Sequence, residues 1–501
     1  MDSFLSLLHG FETALSGWNL LYCLLGVTIG MLVGILPGLG PVAGTALLIP
    51  VTFGMDPVSA IIMLAGIYYG SMYGGTITSV LINVPGETAS VITCIDGHQM
   101  AKQGRAGAAL GIAAIGSFIG GVTAIVCLAL IGPVLANLAL KFGPPEFFAI
   151  MMFGLVMLIA LVGKSVIRGL VAAAIGLLLS LVGMDPITGL VRFNFGQTAL
   201  LDGFDFTILA IGLFAFSEIL ISLEQSIESM KPAKIGGLMP RRDEWKPSFK
   251  AIGRGTGIGM MLGLIPGASA IIASLMSYTT EKRLAKDPSR FGKGAIEGVA
   301  GPETANNAHS GASLIPLFTL GLPTSPTVAV ILSAFILHGL TPGPTLFTKN
   351  PDFTWGVIAS MFIGNVILLI MNLPMIRLWA KIAAIPYKLL YPLILIVTLT
   401  GTYAVNRSLW DVAMTVFFGI VGYFFRKLDI PIAAIIFTFV LGSQIESSFL
   451  QSLATSQNGM LIFFTRPISS TILGIAILVL LLSIFSGIKN KRMKIASDVE
   501  M

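Results

Sequence analysis

Long apolar runs recur along the whole sequence, and as helices of about 18 to 25 residues each could cross the roughly 30 Å hydrocarbon core of a bilayer. Charged residues are only 11% of the 501 residues, against roughly 25% in a soluble domain. The stretches 146–162 and 468–488 lack the alternation of barrel strands. The sequence therefore predicts an all-α polytopic protein of a lipid bilayer and excludes a soluble globular domain.

The charge and cysteine patterns exclude other classes. Cys23, Cys94 and Cys127 have no paired spacing, so neither a disulfide framework nor a metal knuckle is indicated. The net charge of +6 is typical of basic loops held on the cytoplasmic side. We therefore expect no nucleic-acid partner and no cofactor.

The apolar segments divide into two halves, because residues 26–38 (GVTIGMLVGILPG) and 255–267 (GTGIGMMLGLIPG) match at seven of thirteen positions. Such self-similarity is typical of a duplicated transmembrane unit. The predicted units are a first transmembrane repeat (1–223), a basic cytoplasmic linker (224–254) that includes Lys231, a second transmembrane repeat with extra helices (255–488) and a basic cytoplasmic tail (489–501).

The basic loops also predict how the chain threads the membrane. Loops 224–254 and 280–308 flank one apolar segment that is interrupted at Pro266-Gly267. A single crossing would place one basic loop outside, whereas a re-entrant hairpin keeps both inside. With 448–466 treated as not spanning, the two halves begin on opposite sides, which makes them inverted-topology repeats with broken and re-entrant helices. The same charges allow other threadings.

Four interruptions of the apolar segments form two corresponding pairs. We name them in chain order the first break (Pro37-Gly38-Leu39-Gly40-Pro41), the second (Asn83-Val84-Pro85-Gly86-Glu87-Thr88), the third (Pro266-Gly267-Ala268-Ser269) and the fourth (Gly321-Leu322-Pro323-Thr324-Ser325-Pro326). Pro removes a backbone donor and Gly favours irregular dihedrals, so N–H and C=O groups are freed at membrane depth. Such backbone persists only within protein or beside a wet cavity. A single break would indicate a packing kink, but paired breaks predict a transport site.

A helix that resumes after a break presents unpaired N–H groups and a positive dipole end, which suit a carboxylate. We expect Thr88, Thr324 and Ser325 to cap these helices. The helix ends before the breaks offer carbonyls to a cation. The predicted substrate-binding residues are Gly38, Gly40, Asn83, Gly86, Thr88, Gly267, Ser269, Thr324 and Ser325.

A few polar residues lie within or beside the apolar context, where ionisable groups are functional candidates. Asn83, Glu303, Asn306 and Asn307 are the predicted cation-coupling residues, since amides and carboxylates supply oxygen ligands to a hard cation. A helix-capping cluster at the interface is an equally good interpretation of the last three. Asp96, in a short glycine-flanked loop, is expected to be a solvated surface charge.

Several long motifs resemble the large membrane subunit of tripartite tricarboxylate transporters, the TctA family. In the first half they are GILPGLGPVAGTALLIPVTF (34–53) and the run at 69–111 that contains NVPGETAS. In the second half they are GPETANNAHSGASLIPLFTLGLPTSP (301–326) and HGLTPGPTLF (338–347). The resemblance covers nearly the whole chain. It departs at His309-Ser310, where smaller residues are expected. The family signatures fall on Gly38, Gly40 and Gly44, on Asn83, Pro85 and Gly86, and on Glu303, Asn306 and Asn307.

This resemblance implies a multi-pass secondary transporter of the bacterial inner membrane. The basic residues of the tail predict separately that the C-terminus is cytoplasmic. It implies a small membrane subunit similar to TctB and a periplasmic solute-binding protein similar to TctC that delivers organic carboxylates. Coupling to Na⁺ or H⁺ is also implied by the family, and no other metal.

Two other classes of function compete with this interpretation. An enzyme is disfavoured, because the sequence has neither an H-E-x-x-H motif nor a complete Walker A motif. An ion or anion channel could also use broken helices as a selectivity filter. Two non-identical halves that each contribute breaks favour alternating access instead.

Overall fold

The computed structural model of the chain is almost entirely helical, as predicted. It describes residues 2–36, 38–162, 165–185, 188–224, 233–383 and 387–499. Pro37 of the first break, Lys231 of the linker and the side chains of the basic tail lie outside the described part.

The first half consists of ten α-helices and one small antiparallel strand pair in its described residues. In order they are α1 (Asp2–Ala14), α2 (Gly17–Ile35), α3 (Gly40–Leu48), α4 (Pro57–Ile82), α5 (Val91–Lys102), α6 (Ala106–Ala139), α7 (Pro144–Val162), α8 (Val166–Ser180), β1 (Gly183–Met184), β2 (Val191–Arg192), α9 (Phe206–Ala210) and α10 (Ser217–Glu224). A π-helical turn, Ile211–Phe216, joins the last two helices.

The second half begins in the linker. Its helices are α11 (Trp245–Gly263), α12 (Ala270–Leu284), α13 (Glu297–Ala312), α14 (Leu314–Leu320), α15 (Pro326–Leu337), α16 (Leu346–Lys349), α17 (Pro351–Asn372), α18 (Ile376–Ile382), α19 (Tyr387–Asn406), α20 (Leu409–Lys427), α21 (Ile432–Thr455), α22 (Ile462–Thr465) and α23 (Pro467–Val499). Nine helical segments of the described chain are long and apolar enough to cross a membrane.

All four predicted breaks interrupt helices. Each contains a residue with positive φ, namely Gly38 (93°), Asn83 (57°), Gly267 (82°) and Gly321 (71°). Asn83 and Gly321 stand directly after the last residue of α4 and of α14. Because left-handed backbone ends an α-helix and favours Gly or Asn, the residue types at these positions explain where the helices end.

Both halves contain the same pair of closely packed helices. A Cβ added at Gly26, Gly30 or Gly34 of α2 would lie 2.1–2.6 Å from carbonyl oxygens of α4. The glycines Gly255, Gly259 and Gly263 of α11 approach the α13 backbone equally closely. These glycine faces therefore serve packing, and they make α4 and α13 the corresponding helices of the two halves.

The third break is the tip of a helical hairpin. The helices α11 and α12 pack against each other, and Arg254 of the first pairs with Glu281 of the second at 2.5 Å. These residues lie at similar distances from the tip, so the two arms are antiparallel. The predicted hairpin at Pro266-Gly267 is therefore confirmed, whereas its re-entrant path and its side of the membrane stay predictions.

The helices form two groups in space, and each group takes helices from both halves. The inner group contains α1 to α6 and α11 to α17, and the outer group contains α7 to α10 and α19 to α23. The helices α3 and α15, which follow the first and fourth breaks, contact the outer group at the π-helical turn and at α21. The boundary between the sequence repeats is therefore not the boundary between the two groups.

Candidate functional site

The centre of the inner group is a polar helix. All 16 residues of α13, EGVAGPETANNAHSGA, are buried, and α4, α5, α6, α11 and α12 surround it. This composition is too polar for a helix that faces lipid, so its side chains need partners within the protein. Its side chains contact two of the four breaks, the second through Asn306 and the third through His309. Ser313, directly after the helix, accepts a hydrogen bond from the fourth.

Glu303 connects the two halves. Its carboxylate accepts hydrogen bonds from Thr76 of α4, at 2.6 Å, and from Thr93 of α5. Glu303 is 1% exposed, and the two hydroxyls are the only hydrogen-bond partners that its carboxylate has among the described residues. The predicted coupling residue is therefore a buried carboxylate for which no ion pair is found among the described residues. Such a group within a membrane protein is a functional candidate.

Asn306 lies one turn away and contacts the second break. Its Nδ2 donates to Oε1 of Glu87 at 3.0 Å, while its Oδ1 is buried and finds no partner in the described structure. Glu87 is 5% exposed and also accepts from the N–H of Ala89 at 2.7 Å. A second buried carboxylate and a free amide oxygen thus lie beside Glu303.

Asn307 faces another direction. Its Nδ2 donates to the hydroxyl of Ser117, at 2.8 Å, and to the backbone oxygen of Glu303, at 3.1 Å. Asn307 also lines a cavity of about 10 Å³ together with Tyr68 and Asn365, which is room for one water molecule. The Asn307 amide is therefore held by two protein groups, and it is not among the buried polar groups that lack a partner in the described structure, whereas the Asn306 Oδ1 is.

The third and fourth breaks contact each other directly. The N–H of Gly267 donates to the backbone oxygen of Thr324 at 2.9 Å. The hydroxyl of Thr324 donates to the backbone oxygen of Ser313 at 3.1 Å, and the Ser313 hydroxyl lies 3.1 Å from the Tyr68 hydroxyl of α4. The structure therefore brings Gly267 and Thr324 together, next to the first-half helix α4.

The first half of the molecule also pairs its breaks, but less directly. A Cβ added at Gly86 would lie 1.9 Å from the backbone oxygen of Gly34, one turn before the first break. Gly38 faces the outer group instead, and its Cβ would lie 2.9 Å from both Glu218 Oε1 and Ser222 Oγ of α10. Gly38 thus lies near α10, and a Cβ added at Gly40 would meet nothing within 4 Å.

Two of the predicted caps differ from the structure. Ser325 caps α15 as predicted, accepting from the N–H of Val328 at 3.3 Å. Thr88 is exposed, and the residue that caps the turn Thr88–Ser90 is Glu87. Thr324 does not cap, since its hydroxyl bonds Ser313.

Asn83 and Ser269 lie at the edge of this arrangement. Asn83 is exposed at the end of α4, where the linker residue Ala233 donates its N–H to Leu81 at 3.2 Å. Ser269 is half-buried at the start of α12, where it makes no side-chain cap. The residue of the second break that contacts α13 is Glu87, which is not among the predicted substrate-binding or cation-coupling residues.

The expectation that Asp96 is solvated is wrong. Asp96 is fully buried, and its Oδ1 accepts from the N–H groups of Gly292, Gly294 and Ala295 at 2.7–2.9 Å. Its Oδ2 accepts from the Tyr278 hydroxyl of α12 at 2.9 Å. Asp96 therefore links α5 of the first half to the third-break hairpin. The sequence alone does not predict this link, because it depends on the folded conformation of loop 292–295.

Comparisons with known proteins identify the family of the chain. The model of the family described as "Tripartite tricarboxylate transporter TctA family" matches residues 20–437. An uncharacterised 52.8 kDa protein in the TAR-I ttuC′ 3′ region of Agrobacterium vitis is 44% identical over 496 residues, which is 99% of each chain. An uncharacterised protein in the TAR-II ttuC′ 3′ region of the same organism is 44% identical over 234 residues, 47% of this chain and 97% of that protein. No solved structure matches. The chain therefore belongs to the tripartite tricarboxylate transporter TctA family.

Proposed function

We propose that the chain is the large permease subunit of a tripartite, ion-gradient-driven transporter that imports organic anions, namely tri- or dicarboxylates. A periplasmic solute-binding protein delivers the anion, and a small membrane subunit completes the complex. Membership of the TctA family supports these partners. The geometry of the breaks supports the chemistry.

The observation that carries the proposal is the start of α15. This 12-residue helix begins with Ser325 and Pro326 and has no acidic residue in its first turn. The positive end of its dipole and the Ser325 hydroxyl can therefore receive a carboxylate without repulsion from a side-chain charge. The Thr324 hydroxyl can join them once it releases the backbone oxygen of Ser313. Gly267 holds this helix start against the third break at 2.9 Å, so we place Ser269 beside the anion as well.

The coupling cation binds beside the second break. Two carboxylates are available there, from Glu87 and Glu303. Asn306 adds an amide oxygen, Oδ1, which has no partner among the described residues. Oxygen ligands of this kind suit Na⁺, and the carboxylates could carry H⁺ instead. Asn83 and Asn307 are secondary in this proposal, because the first is exposed and the amide of the second is held by Ser117.

Transport follows from movement of the inner group against the outer group. The contacts between them include α3 on the π-helical turn and α15 on α21, so a sliding motion would displace the helices that follow the first and fourth breaks. The anion site would then face the two sides of the membrane alternately.

Proteoliposomes test the proposal. The chain is reconstituted with the small membrane subunit, the solute-binding protein is added outside, and uptake of a radiolabelled carboxylate is measured. We expect accumulation against a gradient, and we expect its loss when an ionophore collapses the Na⁺ or H⁺ gradient. Passive flux at channel rates that ignores both gradients would contradict the proposal and favour the channel.

Localisation is tested separately. A reporter that is active only in the periplasm and one that fluoresces only in the cytoplasm are fused after residue 501. We expect signal from the cytoplasmic reporter in the inner-membrane fraction. Signal from the periplasmic reporter would reverse the proposed orientation.

A further inference from the structure

His309 has one ring nitrogen with a partner and one without. The residue lies on α13 and is 1% exposed. Its Nε2 is 2.6 Å from the backbone oxygen of Ala268, and a carbonyl oxygen can only accept. The hydrogen is therefore on Nε2, and in the neutral ring Nδ1 is an acceptor. This Nδ1 is buried and has no partner within the described part of the chain.

The position of His309 is as informative as its chemistry. Ala268 follows Gly267 in the third break, and the N–H of Gly267 bonds Thr324 of the fourth break. His309 thus contacts the third break beside the residue that is bonded to the fourth, where we place the anion. It also lies three residues after Asn306, on the same side of α13. A buried acceptor without a donor destabilises the protein, so a donor from a bound molecule is the natural partner.

We propose that Nδ1 of His309 accepts a hydrogen bond from a hydroxyl group of the bound carboxylate, and that His309 thereby favours hydroxylated carboxylates over their deoxy analogues. This inference rests on the proposed function and names its substrate class. A carboxylate oxygen carries lone pairs that repel the Nδ1 lone pair, whereas a hydroxyl donates.

Two matched pairs of probes test the inference. Citrate and tricarballylate differ by one hydroxyl, as do malate and succinate. Binding of each to the full-length chain in lipid nanodiscs is measured by calorimetry. We expect the hydroxylated member of the pair that fits to bind about tenfold more tightly.

Two variants separate the roles of the ring nitrogens. His309→Gln places an amide near the Nε2 position, so it retains the bond to Ala268 but lacks an acceptor at Nδ1. We expect the ratio of the affinities for the hydroxylated and the deoxy probe to fall to about one in this variant, with the affinity for the deoxy probe unchanged. His309→Asn places its amide near the Nδ1 position and is expected to retain part of the preference.

The outcomes separate this inference from the proposed function. Equal binding of both members of a pair by the unsubstituted chain, or an unchanged ratio in His309→Gln, would overturn the role of His309 and leave carboxylate transport standing. If His309→Gln weakens the binding of both probes of a pair equally, the residue contacts a carboxylate and not the hydroxyl, which also overturns the inference. Binding of none of the four probes would contradict the proposed function itself. If His309→Gln does not fold, the His309→Asn ratio decides, and a loss of preference there overturns the inference.

Discussion

The second and fourth breaks have the same backbone design and opposite chemistry. Each follows a buried helix, α4 or the shorter α14, that ends at a residue in the left-handed conformation, Asn83 or Gly321. In each, the side chain of the next helical cap accepts a backbone hydrogen bond. In the second break that cap is Glu87, a carboxylate, whereas in the fourth it is Ser325, a hydroxyl.

This difference determines the charge of the ligand that each break can receive. The helix start after the second break is already next to the Glu87 carboxylate, so a second anion there would be repelled and a cation attracted. The start of α15 has no such charge in its first turn. One repeated backbone motif can thus bind a cation in one half and an anion in the other.

The largest effect is expected for Gly86→Ala, because the new Cβ would lie 1.9 Å from the Gly34 oxygen and 2.7 Å from the Gly75 Cα. Backbone atoms cannot yield cheaply, so we expect a loss of about 3 kcal/mol or more of folding stability. The measurement is thermal unfolding in detergent. Gly40→Ala is the control, since nothing lies within 4 Å of its Cβ and only its φ of 60° costs about 1 kcal/mol. Equal stability of both variants would show that the second break does not pack as described.

The next largest effect is expected for Glu303→Gln, on uptake. It removes a buried charge but preserves the size of a side chain that two hydroxyls hold. We expect uptake to fall about 100-fold, because charged hydrogen bonds contribute about 1.5–3 kcal/mol, with the amount of folded protein retained. Asp352→Asn is the control, since the Asp352 side chain is 75% exposed. Uptake that survives in Glu303→Gln would remove this carboxylate from ion coupling.

Substitutions at Glu87 and Ser325 should distinguish the ligand of the second break from the ligand of the fourth. Glu87→Gln should raise the half-saturating cation concentration about tenfold and leave the half-saturating anion concentration nearly unchanged. Ser325→Ala should do the reverse, by about fivefold, because the loss of an N-cap costs about 1 kcal/mol. Both constants are read from uptake at varied cation and anion concentrations. A reversed pattern would exchange the two sites, and equal effects on both constants would mean one shared site.

The smallest effect on stability and uptake is expected when an ion pair outside both breaks is removed. Arg168 and Asp429 lie 3.1 Å apart with side chains 46% and 43% exposed. We expect Arg168→Ala to lower stability by less than about 1 kcal/mol and to leave uptake unchanged. A large loss of uptake would extend the site to this end of α20 and would weaken the comparison of the breaks.

The breaks were predictable from the sequence because Pro and Gly act locally on the backbone. Glu303 and Asn306 were identifiable as polar residues between apolar segments. The partners were not predictable, since Thr76 and Thr93 are more than 200 positions away from Glu303 in the chain. The burial of Asp96 depends on the same kind of long-range contact. Asn83 and Thr88 were selected by motif, but the chain reverses between them and leaves both exposed.

The polarity of α13 has a consequence for biogenesis. A segment that contains Glu297, Glu303, two asparagines and a histidine would not enter lipid alone from the insertion machinery. The helices that surround it, α4, α5, α6, α11 and α12, all precede it in the chain, so ribosomes synthesise them first. The helices that α13 packs against can therefore be in the membrane before α13 is inserted. The order of the helices along the chain thus favours the insertion of a polar helix that lipid alone would not accept.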